Sequence, residues 1–377
     1  MLKALFVLCV AGIVFTWAGY PLLLALWARL RARPVARAPM EVPVTVLVVA
    51  HQAADLVQRK LDSVFAQDYP PHLLRVLVAV DGGGDGTAEA AAASGDPRVR
   101  VLAFPQRRGK AACLNDAVAA CEDEFIVFTD VRQPLDRGAV RRLLACFADP
   151  AVGAASGELC FYPDAVTGFA ESVDAYWRYE KFVRERESEI DSVVGVTGAL
   201  YALRRSLWRP IPPQTILDDV MVPMNVVLQG RRVVFEREAI AWDWPSASIE
   251  QESRRKVRTL AGNFQLFALR PELLSPWHNR LLLQTLCHKL LRLLVPAMMG
   301  LALLANVALA LDGPRWRMLL VAHLGAYALA VLGLRSERLR GLRVVRLGAS
   351  FVQMNLLVVR GFLEFVGNRE AHLWRSR

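Results

Sequence analysis

Three stretches decide how this chain reads: VPVTVLVVA at 42–50, LLRVLVAVDGGGDGT at 73–87 and EFIVFTDVRQ at 124–133. Each is a short, almost continuous apolar run, dominated by valine, leucine and isoleucine, that stops at polar residues. Runs of that length and composition are strands buried on both faces, as in a parallel sheet covered by helices. Helical patterns lie between them over 54–67 and 110–122, another follows at 136–148, and VRVLAF (99–104) and VGAASGEL (152–159) add strands. Strands alternating with helices predict an α/β domain with a mostly parallel sheet. Ligands in such sheets bind beyond the carboxyl ends of the strands. Asp81 and Asp130 end two of the runs, at that edge.

Downstream the pattern loosens. A polar, aromatic helix is expected over 164–189, then GVTGALYALRR (195–205), a helix starting at Asp218 in TILDD, a strand within RRVVFEREAIAW (231–242), and an amphipathic helix over 248–268. Gln251 and Arg254 share one turn of that last helix. No internal repeat and no low-complexity linker interrupts the sequence.

Outside this block the chain is oily. Residues 4–28 form an apolar run long enough to cross a bilayer, for which about 20 residues suffice. The run exceeds a signal-peptide core and has no small-residue cleavage site, so a retained anchor is expected. Arg29, Arg31, Arg33 and Arg37 follow it and place the next domain on the cytoplasmic side. Residues 293–311, 316–334 and 346–366 are further candidate spans, the last containing Arg360 and Glu364. The arginine-dense turn RSERLRGLRVVR (335–346) also reads as cytoplasmic, in agreement with the first anchor. The expected division is a basic-tethered anchor over 1–40, a cytoplasmic domain over 41–270, and an interfacial helix with membrane helices over 271–377. The 377 residues are 54% hydrophobic yet 22% charged, which fits that mixed build better than a wholly soluble or wholly membrane protein.

The formal net charge of +10 points to anionic lipid, a phosphorylated substrate or nucleic acid. Nucleic acid is the weakest of these, since there is no arginine-rich recognition helix and no zinc-finger spacing. The six cysteines (Cys9, Cys113, Cys121, Cys146, Cys160, Cys287) lack any CxxC or histidine partner and read as buried, reduced thiols.

Taken singly, the motifs are ambiguous. DGGGDGT misses the dinucleotide fingerprint because Thr87 stands at the last glycine position, and RRGKAA fails as a phosphate loop at Phe104 and Ala111. Asp130 is either a helix cap or a ligand for a divalent metal on a diphosphate. Asp218 and Asp219 are either helix-start acids or a pair in which one carboxyl is raised for general-base work. Arg254, Arg255 and Arg258 are either a solvated face or a phosphate-facing stripe.

In this order, VTVLVVAHQAADLVQRKLDSVFAQDYP, VAVDGGGDGT, GKAACLN, FTDVRQ, GVTGALYALRR, LDD and QESRR resemble the family 2 glycosyltransferases of the membrane-embedded, processive type, which include cellulose, hyaluronan and poly-N-acetylglucosamine synthases. The likeness runs from Val44 to about Leu269 and implies a GT-A-like fold with membrane helices at both ends. It implies an inverting hexosyl- or N-acetylhexosaminyl-transferase at a bacterial inner membrane. Its donor would be a nucleotide sugar, a UDP-sugar first, and its acceptor a polysaccharide or a lipid. By the same resemblance Asp81, Lys110, Asp130, Arg132, Gln251 and Arg254 would face the donor. Asp130 would hold a magnesium or manganese ion, and Asp219 would be the catalytic base. Gly198, Asp218 and Arg255 would lie on the acceptor side. The chain departs from the family in having Arg132 for a second metal-site aspartate, Arg255 for a tryptophan, and AHQAA for Tyr-Asn-Glu after the first strand. Those arginines favour the alternative of a catalytically weak nucleotide- or glycan-binding subunit of a polysaccharide assembly or export complex.

Overall fold

The computed structural model describes residues 1–162, 170–244, 249–368 and Leu373. Seven strands form one sheet: β1 (Val44–Ala50), β2 (Leu74–Asp81), β3 (Val99–Phe104), β4 (Phe125–Asp130), β5 (Val152–Phe161), β6 (Leu200–Arg204) and β7 (Arg232–Asp243). Their order is β3-β2-β1-β4-β6-β5-β7. β1 pairs in parallel with both β2 and β4, and β5 with β7, while β6 alone runs antiparallel to its neighbours β4 and β5. The mostly parallel α/β sheet is as expected, but β6 was hidden inside GVTGALYALRR, where glycines and a five-residue strand leave almost no periodicity to read.

Reversing β6 has a positional result. Its amino-terminal end, just after Gly198, lies at the edge where the parallel strands finish in Asp81, Asp130 and Asp243. One edge therefore gathers strand-terminal carboxylates and a backbone segment without a side chain.

The helices are α1 (Leu2–Arg31), α2 (Ala54–Phe65), α3 (Thr87–Ala92), α4 (Lys110–Ala119), α5 (Ala139–Ala145), α6 (Ala170–Ile190), α7 (Asp218–Leu228), α8 (Ile249–Leu269), α9 (Leu282–Asp312), α10 (Pro314–Arg335) and α11 (Arg343–Gly367), with short turns between them. The part of the expected 164–189 helix before Ala170, and residue 248, lie outside the described residues. Alternation along β1 sends Val46 and Val48 into one core with Val57, Leu61 and Leu143 of α2 and α5. Leu47 and Val49 enter the other, with Leu114 of α4, Met221 of α7 and Leu266 of α8. Burial of a side chain of this size contributes about 1.5–3 kcal/mol, so a strand buried on both faces is held by its whole length.

Helices α1, α9, α10 and α11 are long and apolar enough to cross a membrane. Residues 32–40 do more than tether. Arg33 N–H donates to the Glu189 carbonyl, Arg232 donates to the Arg33 carbonyl, and Arg37 pairs with Glu236 at 2.7 Å. The link between α1 and the sheet is thereby fixed in place. The cysteines are free thiols, and Cys160 departs from expectation in being only half-buried at the end of β5.

Helix α11 lies between α8 and α10. A Cβ added at Gly361 would meet Leu260 Cβ at 2.6 Å and the Ala261 amide nitrogen at 3.2 Å, so α8 and α11 cross at backbone distance. Phe264 packs on Phe362 and Phe365 at the same crossing. Gly361→Val should force these helices apart, cost about 1–3 kcal/mol, and lower the unfolding midpoint of the detergent-purified protein. An unchanged midpoint would mean that the crossing is looser than described.

Candidate active site

Lys110 organises the sheet edge. It opens α4 directly after Gly109, whose φ of +89° favours glycine, and its Nζ lies 3.0 Å from Asp130 Oδ1 and 3.0 Å from Asp218 Oδ2. The ammonium group is held well above its usual range: burial works against the charge, but Asp130 and Asp218 outweigh it. Asp218 and Asp219 are the first residues of α7, where the helix end favours negative charge. Burial first, then the neighbouring Asp218 carboxylate, push Asp219 up to about 6, with Lys110 and Lys289 pulling the other way. A carboxyl in that range is matched to accepting a proton near neutral pH.

Gly198 faces this group. A Cβ there would stand 3.6 Å from Asp219 Cβ and 3.7 Å from both Asp219 Oδ2 and Lys110 Nζ, so the missing side chain leaves room beside the pair. The Val196 N–H donates to the Asp219 carbonyl at 2.8 Å and fixes the 195–198 segment to α7. Beneath, Phe128 stacks on Tyr201 at 4.5 Å. The buried Tyr201 hydroxyl, close to all three aspartates, finds no acceptor among the described residues.

Two further groups hold the loops. Asp81 is wholly buried, and its carboxylate accepts the backbone N–H groups of Arg108 at 2.6 Å and Gly109 at 2.9 Å. In this structure it latches the loop that presents Lys110. Lys60, also buried, donates to Thr129 Oγ1 at 2.6 Å and to the Gln133 carbonyl at 2.5 Å, pinning the turn that carries Asp130. Burial pulls Lys60 down to about 7 against the attraction of Asp130.

Arg132 pairs with Asp243, the last residue of β7. Asp243 is buried and also accepts from Gln133 at 2.9 Å and from the Trp244 N–H at 2.8 Å. A buried carboxylate with three donors is well satisfied. Asp130 remains the partly exposed carboxylate at the end of β4. No cluster of three or more His, Cys, Asp or Glu side chains suited to a metal occurs among the described residues. What is present fits a hard cation held chiefly by a substrate's own phosphates, with one protein carboxylate, as magnesium sites permit.

On α8, Glu252, Arg255, Lys256, Thr259, Leu260 and Asn263 line a cavity of about 380 Å³ between the sheet domain and the apolar helices. That is the i, i+3, i+4, i+7 stripe of one helix face. Arg254 and Gln251 fall off the stripe, and Arg254 and Arg255 are both exposed. Arg255, expected on the acceptor side, lies beside Arg132 and Asp243. Burial and the like charge of Arg132 make its guanidinium somewhat less basic than usual.

The structure thus brings Lys110, Asp130, Asp218, Asp219 and Gly198 together, and sets Arg132 and Arg255 at the adjoining cavity. Asp81 lies behind the first group, and Arg254 on the outer face of α8. Sequence reasoning passed over Asp243, although it carries the same signal as Asp81 and Asp130, an acid closing an apolar strand. It also passed over Lys60 and Lys289. Lys60 sits on an otherwise ordinary amphipathic helix face, so nothing local marks it.

The model of the family described as "Glycosyltransferase like family 2" matches residues 41–262. An N-acetylglucosaminyltransferase of Rhizobium meliloti (strain 1021) is 23% identical over 329 residues, covering 83% of this chain and 77% of that protein. The poly-beta-1,6-N-acetyl-D-glucosamine synthase of Staphylococcus aureus (strain MSSA476) is 20% identical over 229 residues, 59% of this chain and 55% of the synthase. The mannosyltransferase PcManGT from Pyrobaculum calidifontis, solved in complex with GDP-Man and Mn2+, has the same fold: TM-score 0.71 at 22% identity, covering 98% of this chain and 99% of that one.

Lys110→Met removes a cation that holds Asp219 down, so the Asp219 carboxyl should titrate higher than about 6. Infrared difference titration against Asp219→Asn would show the shift. An unmoved or lowered midpoint would mean that Lys110 does not act on this carboxyl.

Proposed function

The chain belongs to the glycosyltransferase like family 2 and is a glycosyltransferase; on that premise we propose that it moves a sugar from a nucleotide diphosphate sugar to an acceptor hydroxyl, with inversion at the anomeric carbon. The observation that carries the reading is Asp219, held near neutral beside Lys110 and facing the open space over Gly198. In the step, the acceptor oxygen bonds to the anomeric carbon as the bond from that carbon to the diphosphate oxygen breaks. The acceptor proton passes to Asp219, and the bonding electrons leave with the diphosphate. The transition state has the oxocarbenium character of glycoside cleavage.

The other groups take supporting parts in this proposal. Lys110 and Arg132 supply positive charge toward the leaving diphosphate, and a guanidinium suits such a group; Arg254, which the resemblance sets toward the donor, lies on the outer face of α8 in this structure. Asp81 sets the donor loop, and Gln251 stands at the head of α8 on the donor side. Asp218 keeps Lys110 in place, while Gly198 and Arg255 border the acceptor. Asp130 would hold a magnesium or manganese ion arriving with the diphosphate, which would neutralise charge on the leaving group. A neighbouring fold solved with GDP-Man and Mn2+ makes such a pair the natural probe, and relatives named for N-acetylglucosamine make a UDP-sugar the first donor to try. The catalytic domain is taken as residues 41–270, on the cytoplasmic face of a bacterial inner membrane, with 1–40 and 271–377 as its membrane parts. The acceptor is a polysaccharide or a lipid.

A second reading, a catalytically weak binding subunit of an assembly or export complex, draws on Arg132 being engaged by Asp243 and leaving a single carboxylate at Asp130. Asp219→Asn separates the two. It should lower transfer by about 10²–10⁴-fold while nucleotide binding stays near normal. In the wild type, transfer should rise with pH through a midpoint near 6, because the base acts only when deprotonated and its carboxyl is raised to about 6. Retention of more than about a tenth of wild-type turnover in the variant would exclude Asp219 as the base.

A further inference from the structure

Two consecutive amides hold the segment that faces Asp219. Val196 N–H donates to the Asp219 carbonyl at 2.8 Å, and Thr197 N–H donates to Ser156 Oγ at 3.0 Å. The segment is thus clamped between α7 on one side and β5 on the other. Ser156 is wholly buried, and its own hydroxyl donates to the Gly157 carbonyl at 2.9 Å. Its remaining acceptor capacity takes a second donor, the Arg184 guanidinium of α6, at 2.5 Å. The same guanidinium nitrogen lies 3.3 Å from the Gly157 carbonyl oxygen. The register between β5 and β7 breaks here, with Ser156 opposite Phe235 and Glu158 opposite Ile240. Only glycine fits at 157, since a Cβ would meet the Ala239 carbonyl oxygen at 2.6 Å. Irregular ladders of this kind re-aim side chains next to active sites.

Arg184 is an uncommon partner for a serine. Glu158, Glu180, Glu187 and Asp219 are its counter-charges, yet among the described residues it forms no ion pair with any of them. Lys181 takes Glu158 at 2.7 Å, and the Phe235 ring lies 4.4 Å from the Arg184 guanidinium. Withdrawing a guanidinium from water is costly, and a neutral side chain of similar size would avoid that cost. What the charge provides is a strong hydrogen bond to the hydroxyl. Glu180, Arg184 and Glu187 follow an i, i+4, i+7 spacing and so share one face of α6. Tyr20 of α1 donates to Glu187 at 2.6 Å. His288 of α9 lies 2.8 Å from Glu187 and 3.1 Å from Glu180, and Arg292 pairs with Glu180. The face that carries Arg184 is therefore the face that grips both of these apolar helices.

We propose that Arg184 is a positioning residue of the transfer reaction: through Ser156 it fixes the 195–198 segment over Asp219, and the Glu180 and Glu187 contacts beside it tie that setting to the packing of α1 and α9. The inference rests on the transfer reading above and adds to it a residue that touches no reacting group. Gly198 leaves the open space beside Asp219, so a shift of its backbone changes where an acceptor hydroxyl can stand. Lys110 and Asp130, on the donor side, are held by other bonds and stay in place. A displacement of about 1 Å at a reacting group costs about 10²-fold in rate.

The test uses the full-length protein in phosphatidylcholine nanodiscs, with amide hydrogen exchange and nucleoside diphosphate release as separate readouts. The probe donors are UDP-N-acetylglucosamine and GDP-mannose, each with Mn2+. In Arg184→Met the amides of 196–198 should exchange at least about fivefold faster, as on loss of one hydrogen bond, while β4 and α4 stay within about twofold. Ser156→Ala should do the same, and the double variant should exchange no faster than either. Arg184→Lys, which keeps the charge and a donor, should restore slow exchange. His288→Leu should speed the same amides, because it releases the grip of α9 on Glu180 and Glu187. Turnover should fall about 10- to 100-fold in Arg184→Met and Ser156→Ala, with donor KM unchanged within about twofold. If Arg184→Met does not give a monodisperse protein, Ser156→Ala, which removes one hydroxyl and no charge, decides in its place. Exchange raised equally across the sheet would reduce Arg184 to a structural residue and overturn the proposal, as would wild-type turnover with the segment loosened. Unchanged exchange at 196–198 in His288→Leu would overturn the link to α1 and α9. A wild type that releases no nucleoside diphosphate from either donor, with exchange altered as expected, would count against the transfer reading and keep the anchoring of the segment. Lost turnover without altered exchange would keep the transfer reading and sink the proposal.

Discussion

Three carboxylates at one sheet edge repel one another, and the arrangement depends on the ammonium group of Lys110 lying among them. Asp130 closes β4, Asp218 and Asp219 open α7, and Lys110 opens α4, so three separate elements are tied by one side chain. The pairing is mostly buried, where like charges would otherwise force protons onto the acids. Lys110 compensates two of them, and Asp219 carries the remaining strain as a raised carboxyl. Burial, and after it the same repulsion that would destabilise the fold, thus raises one acid into the range suited to accepting a proton near neutral pH.

Around that centre the fold supplies position. The antiparallel β6 brings Gly198 to the carboxyl edge and clears space above Asp219. Asp81 and Lys60 work from behind, one holding the loop before Lys110 and the other the turn after Asp130. A second charge centre, Arg132 with Asp243, lies where the sheet domain meets the apolar helices, and there Glu252, Arg255 and Lys256 of α8 line the cavity. Transfer chemistry on one side and an amphipathic cavity on the other share a wall, and Lys289 stands on it.

Much of the sheet was legible because β1, β2 and β4 are buried on both faces and read as unbroken apolar runs. β6 was not, since a short strand framed by glycines has no period to detect. The acids Asp130, Asp218 and Asp219 were legible as polar residues closing or opening apolar elements. Lys110 was found through the likeness of GKAACLN, and no local pattern announces that it bridges two acids from distant segments. Which of Arg254 and Arg255 meets the cavity depends on helix phase, about 100° per residue, which a motif cannot resolve until the cavity-facing side of α8 is known. Arg132 was read against an expected metal site, yet its partner is Asp243, more than a hundred residues away in sequence. Such pairings are set by tertiary structure.

The central claim is that Lys110 offsets the mutual repulsion of these acids, and a double-mutant cycle on unfolding free energy tests it most directly. Lys110→Met alone should cost about 3–5 kcal/mol, because it strands buried carboxylates. Adding Asp218→Asn should recover at least about 1 kcal/mol of that loss, a coupling of the size seen between residues in one charge network. Strictly additive losses in the double variant would show that Lys110 and Asp218 do not act as a unit, and would contradict the account.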